Sequence, residues 1–431
     1  MSNIIYLLIF FLETNSVLIF HFKKLDEYDG KTNYINFLKI NNIGVNLEIG
    51  NPSQKIFSRL TFSNDYVYFK GSNLKGIYNE KESKSYRKIN ESKQFYSEPF
   101  KKGIYSIDSI NLYDLKNNKI SDENFSFILA EELSLDNKEC YNGNIGLQIP
   151  THFNFEKQNL INQFKLKNYI NEFIWTIKYN SNFEGDLIIG NEPSFYDNNY
   201  FNLILKKTRV LNTGLKLEWG LYFDNIIWNK TIINSINKEI ILDIDLGVIY
   251  GTEDFKDKIS INFFQKYYSF GYCKLNIIDF EEEYFTCKKQ KVDISKFPSL
   301  LFIHKDFNYT FELDYNDLFI EYDNIYYFLI IFNRFNYNSW KLGRPFFKKY
   351  QLIFNQDLKY IGFYNGEIIP FKPSIPKIII FTLFILILLL CSLLIFIYHK
   401  KKNKKQYAKE LNEDFETDFS SNSSSYNSIN N

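Results

Sequence analysis

From about residue 20 to residue 370 the chain is a succession of short runs of β-branched and aromatic residues cut by Asn, Asp, Gly and Pro. Inside the runs apolar and polar residues alternate, as in Asn46-Leu-Glu-Ile49 and Phe183-Glu-Gly-Asp-Leu-Ile-Ile189. A period of two puts successive side chains on opposite faces of a strand, so a body of this kind folds as a predominantly β protein. Helices are few and short. One is predicted within Phe155–Phe173, where Leu160, Phe164, Tyr169 and Phe173 have helical spacing, and a second over Asp254–Tyr267. A chain of 431 residues with 45% hydrophobic content is long enough for two ordinary cores. The two halves each begin with strands and share a weak internal symmetry, the pattern of two similar lobes.

Charge is balanced, 51 basic residues against 50 acidic, which points away from nucleic acid as a partner. Four His and one Met leave few ligands for a metal, and there is no glycine-rich phosphate loop or serine nucleophile elbow. No cofactor or metal is implied. His21, His152 and His304 have no acid or Cys neighbour at ligand spacing and read as ordinary residues.

Two apolar stretches set the expected topology. Ile4–Leu12, followed by Thr14, Asn15 and Ser16, reads as a secretory signal, 1–16. Ile378–Tyr398 holds about 21 residues without a charge, which at 1.5 Å per residue crosses a hydrocarbon core of about 30 Å. His399-Lys-Lys-Lys-Asn-Lys-Lys405 follows, and clustered positive charge marks the cytosolic side. The reading is a type I single-pass membrane protein of the secretory pathway or cell surface. Its parts are an N-terminal lobe 17–205, a C-terminal lobe 206–369, a proline-containing stalk 370–377, the span 378–398, and a disordered cytosolic tail 399–431. A basic segment after the span distinguishes it from a glycolipid-anchor signal.

Cys273 and Cys287 lie 14 positions apart, and in an oxidising compartment they are expected to bridge, a loop worth about 3 kcal/mol. Cys391 falls in the span and Cys140 is left over. Asn90, Asn124, Asn229 and Asn308 head glycosylation sequons.

Five segments, Asn42–Gln54, Ile56–Phe69, Tyr141–Pro150, Gly185–Gly190 and Trp340–Phe354 with Tyr360–Phe363, carry in this order a resemblance to the pepsin-like aspartic proteases. Asn42-Ile-Gly-Val-Asn-Leu-Glu-Ile-Gly-Asn-Pro-Ser-Gln54 is similar to that family's opening strand and turn. Ile56-Phe-Ser-Arg-Leu-Thr-Phe-Ser-Asn-Asp-Tyr-Val-Tyr-Phe69 occupies the place of its first acidic loop. Tyr141-Asn-Gly-Asn-Ile-Gly-Leu-Gln-Ile-Pro150, Gly185-Asp-Leu-Ile-Ile-Gly190 and Trp340–Phe354 with Tyr360-Ile-Gly-Phe363 are similar to three later segments. The resemblance implies an all-β bilobal fold with few short helices, plus here one C-terminal transmembrane helix, and a peptide-binding cleft between the lobes. It places one catalytic carboxylate at Asp243, in Ile240-Ile-Leu-Asp-Ile-Asp-Leu-Gly247, and the other at Thr61, which is not an acid. A rival register at the cost of a two-residue gap takes Asp245-Leu-Gly247 as the acidic loop. Tyr96 falls on the flap tyrosine when Gly103 and Asp108 are set on the flap's later Gly and Asp.

The chemistry of that family needs two carboxylates that share one proton, one acting as base toward water and the other polarising the peptide carbonyl. A threonine hydroxyl donates a hydrogen bond but takes no proton at working pH. The expected function is therefore a membrane-anchored homologue, catalytically impaired, that binds a peptide or protein ligand in its cleft. One alternative is a working endopeptidase with an unusual dyad, its first acid drawn from elsewhere, for example Asp65. The other is an adhesion or receptor-like surface protein. A second carboxylate beside Asp243 at the centre of the groove is the finding that would favour the protease.

Overall fold

Alternation in the sequence becomes alternation of burial. In the strand Ile43–Ile49, Val45, Leu47 and Ile49 are buried while Asn46 faces solvent. In Trp340–Leu342 the outer two residues are wholly buried and Lys341 points the other way. The computed structural model describes residues 17–405 except 26, 31, 95–99, 134–140, 151–157, 213, 215–216, 279–280, 335–338 and 369–383. The expected signal, the stalk, Tyr96, Cys140 and the tail beyond Lys405 lie outside the described residues.

The chain divides into a body ending at Ile368 and a second unit from Ile369 onward. The body is mostly β, and its described residues form one sheet of 13 strands, one of 11 and a small one of two. The larger sheet takes its strands from both ends of the body. Leu203–Arg209 pairs with Tyr360–Ile368, and Ile353–Asn355 joins Ile174–Tyr179, so the last strands return to the first half.

The internal symmetry is explicit in the pairing. Strands β1 (Gln54–Thr61), β2 (Val67–Lys70), β3 (Lys119–Leu133) and β4 (Gly143–Gly146) of the first half recur as β5 (Thr231–Leu242), β6 (Ile249–Gly251), β7 (Ile330–Asn333) and β8 (Trp340–Leu342). In the first set β1 runs parallel to β4, β4 antiparallel to β2, and β2 parallel to β3. The second set repeats this, with β5 parallel to β8, β8 antiparallel to β6, and β6 parallel to β7. A parallel pair cannot be closed by a tight hairpin, so each half must leave its first strand by a loop and come back from elsewhere. Those two loops, after Thr61 and after Leu242, define the centre of the body.

Both expected helical regions are helical. Leu160–Leu166 is capped by Asn159, whose side chain accepts the amide of Asn162, and Leu160, Ile161 and Phe164 are buried. Glu253–Ile259 continues through one wide turn into Gln265–Tyr268. A further helix, Tyr34–Lys39, was not legible from periodicity because it is only six residues long. Its Tyr34, Ile35 and Leu38 pack with Val248, Leu329 and Ile331 of the second half. Cys273 and Cys287 are disulfide-bonded across adjacent strands.

In the second unit, Phe384–Lys405 is a 22-residue helix with mean hydropathy 2.0, long and apolar enough to cross a membrane. It does not stop at Tyr398. Residues 399–405, expected in the tail, continue the helix, because five of the seven are Lys, a good helix former, and no Gly or Pro breaks it.

Candidate active site

Each central loop is held by a glycine on the neighbouring strand. A Cβ on Gly146, at the end of β4, would come within 2.2 Å of Asn64 Oδ1, and one on Gly343, just after β8, within 2.2 Å of the Val248 carbonyl oxygen. Only glycine lets strand and loop approach this closely. The main chain then locks the loops in place. Leu147 N–H donates to the Thr61 carbonyl (2.8 Å) and Asp243 N–H to the Leu342 carbonyl (3.0 Å).

The correspondence extends to the side chains. Ser63 N–H donates to Thr61 Oγ1 at 3.0 Å, and Asp245 N–H donates to Asp243 Oδ1 at 2.9 Å. In each loop the first side chain accepts the amide two residues further on. Asp243 is thus the residue that matches Thr61 in position. Asp245 is the residue that touches it.

Thr61 is 1% exposed and its hydroxyl is fully committed. Its one proton goes to Asp245 Oδ2 at 2.7 Å, which leaves Ser63 Oγ, also at 2.7 Å, as a donor to it. Asp245 Oδ2 takes a second donor, the Phe62 amide at 2.9 Å, and Oδ1 takes the Arg59 guanidinium at 2.7 Å. Arg59 in turn lies 5.1 Å from the centre of the Tyr141 ring. A carboxylate from the second half therefore accepts three hydrogen bonds from the first. The main chain adds further ties: Asn41 N–H to the Asp245 carbonyl and Gly247 N–H to the Lys39 carbonyl, both 2.8 Å.

Asp243 sits in a different field. Burial, and then the negative charge of Asp245 two residues away, push its carboxyl up to about 6, against the weaker opposing pull of the Asp245 amide, Lys341 and Arg59. Near neutral pH it is a single proton donor or acceptor. Beside it lies a cavity of about 230 Å³ bordered by Phe62, Ser63, Trp219, Asp245 and Lys341. A larger groove of about 720 Å³ opens between Tyr28 and Phe37 on one side and Phe57 and Tyr141 on the other.

Asp65 is buried on the same loop as Thr61, and its carbonyl accepts from Asn159 Nδ2 at 2.8 Å. The acid that reaches Thr61 is Asp245 instead. Gly103 and Asp108 lie on Phe100–Tyr113, which pairs with Arg87–Gln94 in a hairpin; its tip, with Tyr96, is outside the described residues. Trp340 is core. Among the sequons, Asn124, Asn229 and Asn308 are exposed. Sequence reasoning missed Arg59, although an arginine inside the apolar strand Ile56–Thr61 signals a partner nearby, since charged residues are seldom buried unpaired.

The family model for eukaryotic aspartyl proteases matches residues 48–365, and the chain belongs to that family. Among solved structures it is similar to basic 7S globulin from soybean, with 13% identity, TM-score 0.59, and coverage of 82% of this chain and 95% of that one. It is similar also to conglutin gamma, described as a unique basic 7S globulin from lupine seeds, with 12% identity, TM-score 0.59, and coverage of 82% and 96%. At such identities the likeness shows the fold alone. No curated protein sequence matches the chain.

Proposed function

We propose that this protein is a membrane-anchored aspartyl protease homologue whose cleft binds a peptide or protein segment without efficiently hydrolysing it. The observation that carries the reading is the state of the group that matches Asp243 in the first loop. Where the chemistry needs a carboxylate to share a proton with, there is the Thr61 hydroxyl, and its proton is already given to Asp245. The helix Phe384–Lys405 supplies the anchor, with the body on the luminal or outer side and the basic end in the cytosol. The sequons and the disulfide accord with that side of the membrane.

A working endopeptidase is the second reading, and one observation favours it: Asp245 is an acid two residues from Asp243, and its negative charge helps raise the Asp243 carboxyl. Against it, both Asp245 oxygens accept donors from the first half, and Arg59 holds the group in place. A carboxylate so placed spends three of its about four acceptor sites on the first half.

The test is incubation of the full chain in detergent with a broad peptide mixture from pH 3 to 7, with and without a statine-type transition-state mimic. Binding of peptides without turnover is the expected result. Cleavage that the mimic abolishes and Asp243→Asn removes would establish the protease instead.

A further inference from the structure

Lys341 stands on the cleft side of β8. The strand's alternation sends Trp340 and Leu342 into the core and Lys341 away from it. Its Cα is paired with Ile241 on one side and Tyr250 on the other, so it rises from the middle of the sheet directly beside the central loop.

From there its side chain borders two cavities at once. One is the space of about 230 Å³ next to Asp243 and Asp245. The other, about 190 Å³, is walled by Tyr250, Glu282, Asn333 and Ser339. Lys341 is the partition between them.

The other charges nearby are neutralised by partners of their own. Asp245 is held by Arg59 at 2.7 Å. Glu282 is held by Lys39 at 2.5 Å and receives the Tyr250 hydroxyl at 2.8 Å. Among the described residues Lys341 has no ion pair and no side-chain hydrogen bond. Asp243 lies within its electrostatic reach, and the ammonium draws that carboxyl down, but no hydrogen bond joins the two. Glu218 faces the 230 Å³ cavity as well and is the remaining acid on that wall. An ammonium with three donors thus projects between two small polar cavities with no acceptor assigned to it. An anionic group entering either cavity gains a charge-assisted hydrogen bond that a neutral isostere does not.

We infer that Lys341 sets the ligand preference of this cleft by taking a carboxylate of the bound peptide. This rests on the peptide-binding reading above and names the chemistry of its ligand. The carboxylate comes from an Asp or Glu side chain or from a peptide C-terminus. The ammonium is a specificity determinant and takes no part in bond breaking.

The experiment uses the full chain in detergent and fluorescent decapeptides identical except for one central residue, Glu, Gln or Lys, each with a free or an amidated C-terminus. Binding is read by anisotropy at pH 7. The expected preference for the carboxylate over its neutral counterpart is about tenfold, the size of one hydrogen bond to a charged group. K341M removes that preference, K341R restores it, and K341E shifts preference to the Lys peptide. A preference that follows the central Glu assigns the side chain, and one that follows the free terminus assigns the C-terminus; both support the inference. Equal binding of acidic and neutral peptides by the unmodified chain, or an acid preference that survives K341M, overturns this inference alone. Failure of every peptide to bind overturns the peptide-binding reading together with it.

Discussion

Replacing Asp245 with alanine withdraws one acceptor group from three donors: the Arg59 guanidinium, the Thr61 hydroxyl and the Phe62 amide. The size of the loss follows from burial. The side chains of Arg59 and Asp245 are 22% and 17% exposed, so the pair is neither fully solvated nor fully dry. Breaking a buried pair by removing one partner costs about 3–5 kcal/mol, and exposed pairs are worth about 0–1 kcal/mol. With Thr61 and Phe62 also stranded, and the neighbouring cavity able to admit water, about 3 kcal/mol is the expected cost. An unfolding entropy of about 2.1 cal/mol/K per residue, over a body of roughly 350 residues, converts this to a fall in Tm of about 4 °C. The sharper assay is a double-mutant cycle with R59M, read by denaturant unfolding. If the carboxylate bridges the two halves through Arg59, the double variant loses less than the sum of the singles, by about 1.5–3 kcal/mol. Losses that simply add, or a D245A melt within 1 °C of the unmodified protein, would refute the bridge and with it the claim that Asp245 is spent.

Asp243 has a pH signature of its own. Its carboxyl titrates at about 6 in the folded protein against 3.8 for an unperturbed aspartate, so between those values the folded state holds the extra proton. Stability from this group is complete below the unperturbed value, falls as pH rises through about 6, and is gone above it, a change on the order of 2–3 kcal/mol. D243N has no proton to lose, so its stability profile between pH 4 and 7 flattens relative to the unmodified chain; parallel profiles would reject the burial argument. Gly343→Ala drives a methyl against the Val248 and Leu246 carbonyl oxygens, and a loss of at least about 3 kcal/mol, or failure to fold, is expected in thermal melts. A near-normal melt would show that the second loop does not depend on this contact.

Much of the fold was legible because it rests on local rules. Alternating runs such as Asn46–Ile49 announce strands whatever they pair with, the spacing of Leu160 and Phe164 announces a helix, and the apolar run near the C-terminus announces a long apolar helix. The short helix Tyr34–Lys39 was not, since six residues hold too few apolar positions to reveal a period and its stability comes from Val248 and Ile331, far along the chain. The same distance explains the site. Sequence order marked Thr61 and Asp243 as counterparts, and both now accept the amide two residues on. It also kept Asp245 in view as a rival. It did not reveal that Asp245 crosses to Thr61 at 2.7 Å, or that Arg59 waits there, because those partners lie 184 and 186 positions from Asp245 along the chain.

By itself the sequence determined the strand content, the two similar halves, the apolar C-terminal helix and the absence of an acid at position 61. These are properties of composition and local spacing, and no partner is needed to express them. Tertiary structure alone decided which carboxylate meets Thr61, which cation neutralises it and which ammonium is left facing the cleft. Those outcomes depend on distances of a few ångströms between loops from different halves, and burial then fixes the strength and the titration of each charge.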